Sequence, residues 1–265
     1  MVGFIHCKVF MANVPTTANT PDTTQWSEPL LANPHAVADK SERVRKMFSA
    51  IAPSYDLNNR LHSLWCDQYW RRVAVKMADV KPTDRVVDVA CGTGDLTLKF
   101  AAKSRDVVGI DFTYEMLPIA RRKSAASHAA TFINGDALNL PLPDASADII
   151  SIAFGIRNVQ NWQACIKEFT RVLRPGGRMI ILEFSLPTNK LLLAGYNFYF
   201  RKIMPRTATL ISGDKTGAYK YLPESVNTFI SRDAMQNEMK ANGLTGVVAR
   251  PLTFGICVCY KGTKP

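Results

Sequence analysis

The sequence predicts an α/β protein: a Rossmann-like parallel sheet with helices on both faces. Three observations predict it. An apolar run, Arg85 to Ala90, leads into a Gly-x-Gly turn, Gly92-Thr93-Gly94. A second apolar run, Val107 to Ile110, ends in Asp111, 19 positions after Gly92. From Arg85 onward, stretches suited to buried strands alternate with amphipathic stretches, the order of βαβ units.

The elements follow in order. A first helix is expected over 41–52, with Ser41 as cap, Val44, Met47, Phe48 and Ile51 on one face, and Pro53 as its stop. A second is expected over 61–77, aromatic at Trp65 and Tyr69 and basic at Arg71 and Arg72. Both precede the first strand and form an N-terminal helical addition. Strands are expected at 85–90, 106–110, 130–133, 148–153 and 178–184, and helices at 94–103, 114–125 and 161–173. Arg174-Pro-Gly-Gly177 stops the last of these helices and turns into a strand. A further helix, 232–242, has Ser231 as cap and Gly243 as stop, and apolar runs at 245–251 and 254–260 read as a hairpin giving the sixth and seventh strands. The segment 187–226 interrupts the alternation. Its stretch Leu191 to Pro205 is apolar almost all round, and the segment reads as a cap with an apolar inner face for a greasy substrate.

A length of 265 residues and 47% hydrophobic content suit one large domain. Residues 1–40, rich from Asn13 to Asp39 in Thr, Pro, Asn and Ala, are expected to be disordered, with one domain over 41–265. No apolar run reaches the roughly 18 residues of a membrane span, and the N-terminal stretch does not read as a signal peptide. The six cysteines include no C-x-x-C pair and the four histidines show no ligand spacing, so neither a metal site nor a disulfide framework is expected. The compartment should be reducing. A net charge of +11 suits nucleic acid, an anionic membrane surface or plain solubility.

In a doubly wound sheet the spacing from Gly92 to Asp111 sets a carboxylate beside the glycine turn, where it accepts hydrogen bonds from two ribose hydroxyls. An adenosine-containing cofactor is therefore expected. A dinucleotide site needs a third glycine, and neither Leu96 nor Thr97 supplies it. Asp95, and Asp88 before the turn, would repel a pyrophosphate. Acids around a tight turn suit a cation instead, and S-adenosylmethionine carries a ribose, a sulfonium and an ammonium but no phosphate.

Several stretches together resemble one family, the ubiquinone/menaquinone biosynthesis C-methyltransferases. They are FSAIAPSYDLNNRL (48–61), VVDVACGTGD (86–95), ADIISIAFGIRNV (147–159), RVLRPGGRMIILEFS (171–185) and YKYLPESV (219–226). The likeness runs from about Arg43 to Lys261. It implies a class I S-adenosylmethionine-dependent methyltransferase: a seven-stranded sheet with an antiparallel last strand, and a prenylated quinol as acceptor. It also implies cofactor contacts at Thr93, Asp111, Asp136, Ala137 and Ala153. Many members have Ser at the position of Ala153, so one hydroxyl contact is missing here. The Tyr199 to Pro205 stretch is closer to the menaquinone side.

Methyl transfer from a sulfonium to carbon needs alignment and an electron-rich ring, more so when a phenol is ionised. Arg157 and Asn158, after the fourth strand, are the candidates to stabilise a phenolate and to bond a ring oxygen. Tyr55 is the candidate for the second ring oxygen, and Asp95 for the methionyl ammonium or an ordered water. The partners expected are the quinol, a membrane surface in peripheral contact and a second copy in a homodimer. The place expected is the cytoplasm, at the inner face of the membrane. The alternatives are an O- or N-methyltransferase of another small molecule and a non-catalytic cofactor-binding protein of the same fold. A nucleic-acid methyltransferase is disfavoured, because the fourth strand leads into FGIRNV and not an Asn/Asp-Pro-Pro-aromatic motif.

Overall fold

The computed structural model describes residues 25–125 and 130–265. The chain opens with α1 (Glu28–Ala32), α2 (Lys40–Ile51), α3 (Tyr55–His62) and α4 (Cys66–Ala78). Then come β1 (Arg85–Val89), α5 (Asp95–Ala101), β2 (Asp106–Asp111), α6 (Leu117–Ser124), β3 (Thr131–Asn134), β4 (Ala147–Ala153), α7 (Trp162–Val172) and β5 (Leu173–Phe184). The cap segment forms α8 (Lys190–Phe198), a π-helical turn (Tyr199–Ile203), α9 (Met204–Ser212) and α10 (Ala218–Asn227). The chain closes with α11 (Arg232–Ala241), β6 (Thr245–Leu252) and β7 (Cys257–Thr263).

The seven strands lie in the order β3-β2-β1-β4-β5-β7-β6, with β7 antiparallel to both its neighbours, as expected of the last strand. Side chains alternate between the faces as the two-residue strand repeat requires. Val87, Val89, Val108, Ile110, Ile150 and Ile152 pack with Cys165, Ile166 and Phe169 of α7 and Met235 and Met239 of α11. Val86, Val107, Ile149, Ile180 and Leu182 pack with Trp70, Val73 and Ala74 of α4 and Leu96 and Phe100 of α5. A third cluster joins the N-terminal addition to the cap: Trp26, Leu31, Val44, Met47 and Ile51 against Met204, Ala208, Tyr219 and Tyr221.

Three expectations are corrected. Disorder was expected across 1–40, but Trp26 and Leu31 are buried in the third cluster, and Trp26 stacks 4.3 Å from Tyr221. An aromatic partner from the cap supplies the burial that the segment's own composition does not; residues 1–24 lie outside the described residues. A single helix was expected over 61–77, but the chain breaks at Leu64 and Trp65, which take left-handed φ of 50° and 63°. The hydroxyl of Ser63 accepts the Asp67 N–H at 3.2 Å and donates to the Asp67 carboxylate at 3.0 Å, so it starts α4 afresh. Ser41 was expected to cap the first helix, yet α2 begins at Lys40 and no side chain caps it.

The strand order reverses direction between β1 and β4, each leading away to a different side. Ligands of such sheets bind at the carboxyl ends of those two strands. The N-terminal addition and the cap both lie over that edge.

Candidate active site

β1 ends at a backbone that only a tight turn explains: Ala90, Gly92 and Gly94 all have positive φ. The Gly92 Cα faces the Tyr55 ring, which would lie 3.9 Å from an added Cβ. Gly94 has a different part. An added Cβ there would sit 3.1 Å from Phe132 and 3.2 Å from Ala120, so this glycine lets α5 pack on α6 and β3 and is not in a cavity wall.

Asp111, at the end of β2, holds the turn from one side. Its Oδ2 accepts the Gly92 N–H and its Oδ1 the Thr113 N–H, both at 2.7 Å. Asp88 lies under the turn, bonded at 2.6 Å to the hydroxyls of Thr97 and Ser151. Burial raises both carboxyls to about 6, against the pull of these hydrogen bonds. The sign of the consequence is definite. A carboxyl raised above its unfolded value binds more protons when folded, so the ligand-free protein loses stability from these groups as pH rises from about 4 to 6. A bound cation favours the ionised forms, so cofactor binding should release protons and tighten as pH rises through about 6. Calorimetric titrations at pH 5 and 7 in buffers of different ionisation enthalpy measure both effects.

Asp111 opens onto a cavity of about 300 Å³ whose walls include Met116, Asp136, Ala137, Leu138, Ala153 and Asn158. Met116, Ala137 and Leu138 make an apolar slot fit for a flat base. Asp136 accepts the Leu138 N–H through Oδ1 at 2.9 Å. Ala153 brings no hydroxyl. Beneath the turn a small recess is lined by Tyr55, Arg71, Asp88, Thr93, Asp95 and Ala153. Asp111 and Asp136 in the walls of the larger cavity, which none of the described basic residues lines, suit a cationic nucleoside such as S-adenosylmethionine, while the recess sets Arg71 beside Asp88 and Asp95.

Helix α3 is fastened across this recess. Thr93 donates to Asp56 at 2.5 Å, and Lys123 of α6 bonds both Asp56 (2.9 Å) and Asp95. Arg60 and Gln68 also bond Asp95, at 3.2 and 3.0 Å. Burial pushes the Asp95 carboxyl up, but Lys123, Arg71 and Arg60 together hold it below its ordinary value. Asp95 is thus a shared, ionised carboxylate and not an open one.

A second cavity of about 70 Å³ adjoins the first, with Phe48, Tyr55 and Phe154 in the walls of both. Met47, Ile51, Trp70, Phe184 and Leu222 make it largely apolar. Arg157, 3% exposed, reaches it from the loop after β4. Its Nη1 lies 2.6 Å from Glu183 Oε1 and 2.7 Å from the Phe154 carbonyl oxygen, and its Nε lies 3.3 Å from Ser225 Oγ. Asn158 stands in the wall of the cofactor cavity; its Nδ2 donates to the same Phe154 carbonyl oxygen at 3.3 Å, and its Oδ1 accepts the Tyr221 hydroxyl at 3.0 Å. Tyr55 lines all three spaces, and burial raises its phenol above the ordinary value.

The expected residues therefore assemble around one edge of the sheet, except Gly94. Sequence reasoning missed Glu183, Tyr221, Ser225, Lys123, Asp56 and Arg71. Glu183 stands in the LEFS stretch and Tyr221 and Ser225 in YKYLPESV, both noted as family marks without a role.

Fold, glycine turn and acidic cavity define a class I S-adenosylmethionine-dependent methyltransferase. The solved structure of such an enzyme from Thermotoga maritima superposes with a TM-score of 0.58 at 20% identity, covering 83% of this chain and 98% of that one. A phosphoethanolamine N-methyltransferase from Haemonchus contortus, solved with S-adenosylhomocysteine, superposes with a TM-score of 0.55 at 13% identity, over 74% of this chain and 52% of that one. More narrowly, the chain belongs to the ubiE/COQ5 methyltransferase family, whose model matches residues 36–264. It is 44% identical to the ubiquinone/menaquinone biosynthesis C-methyltransferase UbiE of Geotalea daltonii, over 86% of this chain and 99% of that one. It is 46% identical to the demethylmenaquinone methyltransferase of Thermus thermophilus, over 83% of this chain and 100% of that one.

Proposed function

We propose that this protein methylates a ring carbon of a prenylated quinol in quinone biosynthesis, with demethylmenaquinol as the preferred acceptor. The observation that carries it is the apolar cavity that meets the cofactor cavity at Tyr55 and Phe154, roofed by α2, α3 and the cap helix α10. Its walls set aromatic side chains (Phe48, Trp70, Phe154, Phe184) beside a few polar groups (Tyr55, Arg157, Tyr221), a mixture that suits an aromatic ring bearing hydroxyls.

When bound, S-adenosylmethionine supplies a methyl group already activated on a sulfonium. The chain's own residues align and polarise the acceptor. Asp111 holds the ribose, Asp136 and Ala137 the adenine, and Thr93 and Asp88 support the turn beneath the methionyl end. Asp95, already bonded to Lys123, Arg60 and Gln68, reaches the methionyl end through an ordered water. Tyr55 and Asn158 bond the ring oxygens. Arg157 lies at the wall where a phenolate would form, and it raises the reactivity of the neighbouring ring carbon. Arg157 stays protonated, so the departing ring proton passes through water.

The substrate's tail argues for peripheral contact with a membrane at its cytoplasmic face. No helix of the described residues is long and apolar enough to cross one. The cap instead exposes Leu191, Phe198 and Leu210, and from Lys190 to Ser212 it carries Lys190, Arg201, Lys202 and Arg206 with no acid. That pairing suits an anionic surface.

The test is the quinone profile of cells lacking the protein. Accumulation of a quinone one ring methyl short, reversed by restoring the gene, is the expected result. An unchanged ring, with a different undermethylated metabolite accumulating, would favour an O- or N-methyltransferase.

A further inference from the structure

Lys40 is buried to 2% exposure, and among the described residues its hydrogen-bond partners are neutral. Its Nζ donates to the carbonyl oxygens of Arg157 at 2.8 Å and Val159 at 2.7 Å. These are the two carbonyls that flank Asn158. Nζ also lies 3.3 Å from His35 Nδ1, and His35 Nε2 lies 2.9 Å from the Ser225 carbonyl oxygen. A carbonyl only accepts, so Nε2 carries the proton and Nδ1 takes a hydrogen bond from Lys40. His35 is therefore neutral, in keeping with burial driving its pKa down to about 4.

The groups facing Lys40 are His35 from the turn before α2, Arg157 from the loop after β4 and Glu183 from β5. Tyr221 and Ser225 approach the same loop from α10 and carry no charge. Burial, with the Arg157 charge beside it, lowers Lys40 to about 8, so below that pH Lys40 and Arg157 bring two positive charges, Glu183 one negative, and the cluster keeps one net positive charge. Glu183 is spent on Arg157 at 2.6 Å. A buried ammonium bonded only to neutral acceptors is costly, and a packing role would be filled by methionine at less cost.

We propose that Lys40 is a positioning residue for the quinol-facing loop: it fixes the carbonyls of the residues before and after Asn158 and restores the positive charge that Glu183 cancels on Arg157. The charge is joined to the apolar cavity through Arg157, which lines its wall, and favours loss of the acceptor's hydroxyl proton to solvent, leaving the phenolate. This rests on the quinol reading above.

The test is the pH dependence of kcat, with saturating S-adenosylmethionine and demethylmenaquinol, for wild type, Lys40→Met and Lys40→Arg. Lys40→Met should move the acid limb up by about one pH unit and cut kcat roughly tenfold below the limb. Lys40→Arg, which keeps the charge, should return the limb toward wild type. In the wild type the limb should lie about one pH unit or more below the ionisation of the same quinol free in detergent. Coincidence of those two values overturns the proposal whether or not a variant folds. A Lys40→Met protein with lower kcat but an unmoved limb has lost only structure, and also overturns it. Absence of any wild-type turnover refutes the quinol reading, and this inference with it.

Discussion

Asp111→Ala should weaken S-adenosylmethionine binding roughly 10- to 100-fold, the worth of a charge-assisted hydrogen bond or two. The carboxylate does two jobs. In the function proposed it takes the ribose hydroxyls, and it accepts the N–H groups of Gly92 and Thr113. Truncation removes the first and leaves two backbone donors unsatisfied, so the glycine turn loosens as well. Asp111→Asn separates the two jobs. Its one remaining oxygen can still take one N–H, but its amide meets the other as a donor facing a donor. Asparagine should therefore bind the cofactor better than alanine, yet worse than wild type. Titration calorimetry gives the affinities, and equal affinity in all three proteins would remove Asp111 from the site.

Arg157→Ala should cut kcat on the order of 10²- to 10³-fold while cofactor affinity stays within about threefold, because Arg157 lines the apolar cavity and not the cofactor cavity. The same change should cost about 3–5 kcal/mol of stability, since it strands Glu183 as an unpaired buried charge. Loss of activity in the single variant is then open to two causes. The double variant Arg157→Met, Glu183→Leu resolves them. It replaces the pair with apolar groups of similar bulk, and most of the stability should return, as read by urea denaturation. Activity should not return. Recovery of kcat in the double variant would make Arg157 a structural tie and nothing more.

The sheet was legible because burial on both faces writes nearly continuous apolar runs into β1, β2, β4 and β5, and the glycine turn marks where the first of them stops. Asp111 was legible for a related reason: its distance from the turn follows from one βαβ unit. What lies above the sheet was harder to read. The break at Leu64 and Trp65 carries neither glycine nor proline, and it depends on a Ser63 hydroxyl that also suits a helix interior. The third cluster joins Trp26 to Tyr221, far apart in the chain, and no local pattern reports such a contact. Arg157 was placed on the right edge, but its charge balance was invisible. Glu183 reads as one more strand residue, and Lys40 as the last residue of the segment expected to be disordered. Only the fold sets both against the same loop.

The most direct measurement follows the methyl group itself. Purified protein is given S-adenosylmethionine labelled with carbon-13 in the methyl group, together with a short-tailed demethylmenaquinol, and the product is read by NMR. The account predicts a labelled methyl bonded to ring carbon. A label on a ring oxygen, or an unlabelled quinol beside intact donor, would contradict it.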